Sequence, residues 1–332
     1  MKKKKVLAGI AILVIVSSCT NHEIVQVENQ ACIDFKAYTW APTKAPEMEG
    51  STLLDFKVAA FKTGGAWSEK VDPYLYMENT SVTRDDKDSE WHYAGNYYWP
   101  VSEDKLHFFA VSPNSVNDIE LNSGADYPSF SYIVEDEVAL QEDVIVANKI
   151  DQTKASAGGQ VILDFKHILT QVNFSFTGAE TGYTYRVNSV KVENVYNEGT
   201  FTYNNLTTGT WEVSTGTDVD YTYPLKSQSN PLVINGTEIV DAQATNGALM
   251  LMPQNSIPDH TLQVTITYTV TDNRGDILIF NGEKNAGLDG DQWAPGQKIR
   301  YTVKLPLGAD KITFTTNVSP WTGTGQAVDL TN

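Results

Sequence analysis

Cysteine is almost missing from this chain of 332 residues, which has two, Cys19 and Cys32. Two thiols close one bridge at most, so a disulfide framework is excluded and stability must come from a packed core. Positive charge is scarce as well: 24 Lys and Arg stand against 41 Asp and Glu, for a net charge of −17. That balance argues against nucleic acid as a partner, because phosphate contacts need clustered Lys and Arg. It suits an exterior that avoids non-specific association. No apolar run reaches the roughly 20 residues of a membrane-spanning helix. No stretch has the apolar spacing of a three-turn amphipathic helix. The five histidines, at 22, 92, 107, 167 and 260, lack zinc-binding spacing. There is no Gly-x-Ser-x-Gly elbow and no phosphate-cradling glycine loop. Asp85, Asp86 and Asp88, and separately Asp289 and Asp291, offer oxygens of the kind that hold calcium, but neither run continues into an EF-hand loop. They read as acidic surface turns. His167 lies between Phe165 and Ile168 in an apolar strand pattern and reads as structural. The expectation is a chain with no catalytic residues, no cofactor and no metal.

What is present begins at the N-terminus. Lys2–Lys5 precede an apolar stretch from Val6 to Val16, and Ser17-Ser18-Cys19 follows. A basic start, an apolar segment of about 7–15 residues and small residues before a cleavage point describe a secretory signal. A thiol directly after an apolar-small-small triplet resembles the bacterial lipobox, in which the sulfur is acylated and the cysteine becomes the new N-terminus. Residues 1–18 are therefore read as a lipoprotein signal peptide and 19–30 as a polar tether. The expected location is the surface of the outer membrane, held by lipid at Cys19 rather than by a span. Each buried acyl CH₂ contributes about 0.8 kcal/mol to such an anchor. With Cys19 committed, Cys32 falls in the first strand, where the fold would bury it.

From residue 31 onward the periodic segments have strand character, rich in Val, Ile, Thr, Tyr and Phe and bounded by Gly, Asn, Asp and Pro. Strands are predicted at 31–38, 55–61, 106–111, 143–147, 161–165, 170–176, 185–195, 262–270, 299–305 and 312–318. Leu262 to Val270 alternates strictly, as a half-buried strand requires. Turns are predicted at Asn235-Gly236, Asn246-Gly247, Asn281-Gly282 and Asp289-Gly290. Short strands at close intervals predict an all-β chain of two β-sandwich domains, 31–168 and 169–332. Ala155–Gly159 reads either as a flexible break or as a hairpin turn.

Several segments then fall into a familiar order: Ile33-Asp34-Phe35, Thr43-Lys44-Ala45, Tyr98-Trp99-Pro100 leading into Leu106–Pro113, Asp143–Ala147, and Phe165–Phe174. Leu251–Gln254, Trp293–Gln297 with Tyr301, and a closing strand to Trp321 complete the series. Behind a lipobox, this ordered set resembles the fimbrillin family of the Bacteroidetes, the subunits of their type V pili. The resemblance implies two tandem transthyretin-like β-sandwiches. It also implies a lipoprotein precursor that a trypsin-like protease cuts after a basic residue beyond the first strand. Loss of that strand leaves a groove that a C-terminal strand of another fimbrial subunit fills, by donor-strand exchange. On this chain the removable strand is about Ala31–Tyr38, with Ile33 and Phe35 facing inward, and the cut falls between Lys44 and Ala45. The chain departs from the most favourable pattern in having no arginine before Arg84, so the protease must accept lysine. The flanking Pro42 and Pro46 keep Lys44 in an irregular, extended stretch.

Two readings of the finished protein stay open at this level. One is a fimbrial structural or accessory subunit that supports cell adhesion. The other is an uncut surface lipoprotein that binds a glycan or host protein through Trp91, Tyr93, Tyr97, Tyr98 and Trp99, unless those rings fill the core. The tail does not separate them: Gln326–Leu330 is short for a donor strand and equally fits a last hairpin. Replacing Cys19 by Ser is expected to abolish metabolic labelling with palmitate while leaving export intact. Persistent labelling of that variant would remove the lipid-anchor reading.

Overall fold

The computed structural model describes residues 31–39, 53–69, 72–205, 209–226, 231–244, 247–256, 260–288, 293–321 and the backbone of 328–330. The described chain is built of β-strands, with two one-turn 3-10 helices at Trp67–Glu69 and Val138–Leu140 and no α-helix among the described residues. The first half carries β1 (Asp34–Thr39), β2 (Asp55–Thr63), β3 (Tyr74–Thr83), β4 (His92–Tyr93), β5 (Lys105–Ser112), β6 (Ser129–Ile133), β7 (Ile145–Gln152) and β8 (Gln160–His167). The second half carries β9 (Thr170–Gly178), β10 (Tyr183–Tyr196), β11 (Glu198–Thr202), β12 (Thr210–Val213), β13 (Asp218–Thr222), β14 (Leu232–Asn235) and β15 (Val240–Asp241). It continues with β16 (Leu249–Leu251), β17 (Gln263–Asp272), β18 (Leu278–Gly287), β19 (Gln297–Leu305), β20 (Thr313–Pro320) and β21 (Val328–Leu330). Each of the ten predicted strands coincides with one of these, and the all-β expectation holds. The strands missed include ones with largely exposed faces, such as β18, and short ones of three to five residues, such as β11, β14 and β16, too short for a pattern to stand out.

Seven strands form one sheet in the order β1-β8-β7-β5-β2-β3-β4. Its middle strand, β5, reads Lys-Leu-His-Phe-Phe-Ala-Val-Ser, and every residue after Lys105 is buried. A strand covered on both faces needs such a continuous apolar run. Phe56, Phe108 and Phe165 line one face with Phe35 and Trp99. From the other face Phe61, Phe109 and Val111 join a larger core shared with the second half, including Phe130, Phe201 and Tyr203. The second half stacks a sheet of β13-β10-β17-β18, with β14 beside β10, on a sheet of β15-β9-β19-β20-β21, with β16 beside β9. A three-stranded sheet, β12-β11-β6, crosses between the halves, because β6 pairs with β11.

The turns show where local signals win and where they lose. Asn235-Gly236 turns as predicted, with Gly236 at φ +59°, and Ala155–Gly159 forms the turn between β7 and β8. Asn281-Gly282 is not a turn: it sits in the middle of β18, opposite Tyr268 and Thr269 of β17. Here glycine makes room rather than a bend. A Cβ at Gly282 would stand 3.1 Å from the Phe280 ring, and that ring packs on Tyr268 with centroids 4.7 Å apart. The reversal between β17 and β18 is made by Asn273–Asp276, where the Asp272 carboxylate accepts the Asp276 and Ile277 N–H groups at 2.8 and 3.0 Å. The predicted turns at Asn246-Gly247 and Asp289-Gly290 fall on or beside residues outside the described set.

One buried histidine makes the first half acid-sensitive. His107 of β5 is fully buried. Its Nδ1 accepts the Asp151 N–H at 2.9 Å, so Nε2–H donates to Thr63 Oγ1 at 2.7 Å. The Thr63 hydroxyl in turn donates a hydrogen bond to the Gly65 carbonyl at 2.7 Å. Both ring nitrogens are thus committed to the neutral tautomer, and burial pushes the pKa down to about 4. Below about pH 6.5 the unfolded chain binds a proton that the fold refuses until about pH 4. Stability is therefore expected to fall as pH drops through that window, by about 3 kcal/mol from this group. Urea melts at pH 7 and pH 4.5 check this, and a His107→Asn variant should lose that part of the pH slope.

Candidate functional site

The feature that sets the first half apart is the position of β1. In sequence β1 precedes β2, yet in the sheet β8, β7 and β5 lie between them. It runs parallel to β8, with Asp34 beside Gln160 and Thr39 beside Phe165. Just before β1, the chain also engages the segment that follows β4, at the opposite end of the sheet. Cys32 bridges Tyr98, Ile33 N–H donates to the Tyr97 carbonyl at 3.0 Å, and Trp99 N–H donates to the Ala31 carbonyl at 3.0 Å. The Tyr93 hydroxyl adds a buried 2.6 Å hydrogen bond to the Ile33 carbonyl. One short segment thereby ties the first and last strands of the sheet together.

Its alternation fills the space so enclosed. Ile33, Phe35 and Ala37 are buried while Asp34, Lys36 and Tyr38 face out. The Phe35 ring meets Phe56, Tyr93 and Phe108 edge to face, at 5.8, 5.8 and 5.9 Å. Such pairs add about 0.5–1.5 kcal/mol each beyond the area they bury. Without β1 an apolar slot floored by Val161, Leu163, Phe165, Phe56 and Phe108 would open to water.

Past Ile33 the second edge of β1 faces a cleft of about 470 Å³, lined across from it by Arg84, Lys87, Ser89, Glu90 and Trp91. Partial desolvation and the nearby Glu90 carboxylate raise the pKa of Asp34 at the head of the strand. β1 is thus held by its apolar face, by its ladder with β8 and by the residues just before it.

Sequence reasoning placed Ile33 and Phe35 on the inner face, and both side chains are buried there. Cys19, Lys44 and Ala45 lie outside the described residues. The sequence did not reveal Ala37, the Tyr93 hydroxyl or the role of Tyr97–Trp99 as the second neighbour of the strand. Tyr98-Trp99-Pro100 was visible as a motif, but a pairing across some sixty residues leaves no local periodicity. The five clustered aromatic residues are drawn into the same seam. Tyr93 and Trp99 are buried and Trp91, Tyr97 and Tyr98 half-buried. Trp91 lies against Phe56 at 4.9 Å and under the Arg84 guanidinium at 4.5 Å.

The remaining candidates are built into the structure. His167 Nδ1 is 2.8 Å from Asp143 Oδ2, and its ring stacks on Trp321 with centroids 4.3 Å apart. Asp86 accepts the Asp88 N–H and the Ser89 hydroxyl, which closes a turn. Cys32 is half-buried rather than buried.

Replacing Phe35 by Ala is expected to cost about 3–5 kcal/mol, as for other large-to-small core changes. The exposed Tyr38→Ala should stay within about 0.5 kcal/mol of wild type. Denaturant melts of the two variants test whether the strand is held by its inner face.

Comparison with known proteins follows the same lines. Residues 43–321 match the family model described as fimbrillin-like. Fimbrium subunit Fim1C of Phocaeicola vulgatus is 25% identical over an alignment of 377 positions, which covers 97% of each chain. The crystal structure of a fimbrial protein from Bacteroides vulgatus superposes with a TM-score of 0.68 at 18% identity, covering 89% of this chain and 100% of the other. That likeness is one of fold.

Proposed function

Because the chain belongs to the fimbrillin-like family, we propose that it is a fimbrial subunit exported as an outer-membrane lipoprotein and assembled by exchange of β1. The observation that carries the reading is the placement of β1, a neighbour of β2 in sequence but three strands away from it in the sheet. A cut anywhere between them leaves β1 held only by hydrogen bonds and packing, and leaves every other strand pair covalently intact. Removal would expose both the backbone edge of β8 and the edge at Tyr97–Trp99, together with the apolar slot. Unpaired edges along an apolar slot are a strong template for an added strand. Main-chain hydrogen bonds would supply the affinity, and pockets for alternate side chains the specificity. Donor and acceptor surfaces differ, so the contact does not close on itself and generates a filament.

Within this reading Cys19 carries the lipid of the precursor, and cleavage between Lys44 and Ala45 releases both the anchor and β1. The partners are other fimbrial subunits, and the outcome is a surface fibre that supports adhesion. The C-terminal β21, which among the described residues pairs with Thr316–Val318 of β20, is the segment we assign as donor. We place the division between the two units near Ile168, supported by the membership of the seven-stranded sheet, with β6 as the strand that crosses it. The family is one of structural subunits, and we assign no catalytic role. The glycan-binding alternative draws no support from Trp91, Tyr93, Tyr97 and Trp99, which pack into the core that holds β1.

Treatment of the purified precursor with a lysine-tolerant trypsin-like protease is expected to give a new N-terminus at Ala45 and a ladder of SDS-resistant oligomers. Lys44→Gln should keep the N-terminus at Cys19 and abolish the ladder. A ladder that forms from the Lys44→Gln chain, or a cleaved chain that stays monomeric, would overturn strand exchange at this site.

A further inference from the structure

Strand β18 has a partner on one side only. Nine of its ten residues pair with β17, Ile279 falling at a bulge, and no strand lies on its other side among the described residues. Its leading end is apolar and exposed: Ile277, Leu278 and Ile279 are 58, 60 and 40% accessible. Its trailing end borders a groove of about 420 Å³, walled by Glu283–Gly287 on one side and by Lys311 and Ile312 on the other. A knob and a hollow therefore lie at opposite ends of one unpaired edge. Long apolar edges are normally blunted by charge or covered, since they recruit further strands. Here the only charged groups on the strand are Glu283 and Lys284, which cancel, on a chain whose net charge is −17.

From this arrangement we propose that β18 is the contact between two copies of this chain, paired antiparallel about a two-fold axis at Gly282. Residues directly opposite in such a pair share a face of the sheet, so the axis must pass through a residue. Centring on Glu283 sets two glutamates against each other, and centring on Lys284 sets two lysines, both destabilising. Centring on Asn281 places Glu283 against Ile279 and Lys284 against Leu278. Centring on Gly282 sets Leu278 of one copy against Ala286 of the other, Phe280 against Lys284, and Asn281 against Glu283. Each is a compatible pair: large against small, ring against cation, amide against carboxylate. The same register lays the Leu278–Ile279 tip of each copy along the Glu283–Gly287 groove of the other. Being isologous, the contact closes as a dimer. It involves neither Lys44 nor β1 and so stands apart from strand exchange; in a fibre it would join subunits side by side.

The test uses the full-length, uncut chain carrying Cys19→Ser, so that neither lipid nor strand exchange contributes. Sedimentation equilibrium over a concentration series should show a reversible monomer–dimer equilibrium. Leu278→Lys, and independently Ile279→Lys, should weaken it at least about tenfold with unchanged thermal melting, since both side chains are exposed. Under mild oxidation Asn281→Cys combined with Glu283→Cys should give a disulfide-linked dimer, and Glu283→Cys alone should not. A wild-type chain that stays monomeric overturns the proposal. So does a dimer indifferent to both lysine variants, a crosslink from Glu283→Cys alone equal to that of the double variant, or association at β18 only with a different subunit.

Discussion

The first half depends on how a sheet disposes of its two edges. An unpaired strand edge in an apolar setting costs free energy for every N–H and C=O left without a partner. The seven-stranded sheet meets this by curling until one segment, residues 31–39, satisfies β8 on one side and Tyr97–Trp99 on the other. The aromatic packing around Phe35 follows from that closure, since Phe56, Phe108 and Tyr93 come from strands that surround β1 only in the curled sheet. The element that completes the fold is therefore also one that a single cut can free, because a cut in its connection to β2 leaves the remaining strand pairs untouched. The strand exchange proposed above would need that combination.

The second half makes the seam durable by bracing the sheet from behind. Phe109 of β5 packs against Tyr203 at 5.2 Å, and the Tyr203 hydroxyl donates to the Ala110 carbonyl at 2.8 Å across the junction. Trp211 Nε1 reaches the Ile168 carbonyl at 2.7 Å. His167, at the end of β8, is clamped between Asp143 and Trp321. Gly296, at φ +69°, lets the chain pass close by, since a Cβ there would stand 3.0 Å from the His167 carbonyl. β8, the partner on which β1 lies, is thus fixed at its far end by residues from three other segments. A slot used for exchange gains from that rigidity, because a preformed edge spares the incoming strand the entropy of ordering its acceptor.

The chain also treats its other edges unequally. β20 is paired by β21 over three residues, and β3 is paired by β4 over two, at Val82 and Thr83, while Asn79 in its middle exchanges two hydrogen bonds with the Ile119 backbone. Among the described strands, β18 combines a ten-residue strand paired on one side with consecutive exposed aliphatic residues at its start. That contrast, in one otherwise strongly acidic chain, points to β18 as a surface meant to be covered.

Much of this was legible in the sequence. Alternation located ten strands, because a half-buried strand must place every second side chain in the core. It also put Ile33 and Phe35 on the inner face of the first strand, and an ordered series of short motifs suggested the family. Local chemistry failed at Asn281-Gly282, where a turn signal was overruled by the need to seat Phe280 on Tyr268. It could not identify the neighbours of β1 either. Strand alternation specifies which face a residue shows, whereas pairing depends on backbone groups that every residue carries alike. Only the tertiary structure decided that β1 lies beside β8 rather than β2, that Tyr97–Trp99 closes its other side, and that Trp91, Tyr93, Tyr97 and Trp99 pack into the core around that seam. The sequence by itself determined the faces, and the fold decided the neighbours, because long-range pairing is selected by the packing of the whole core.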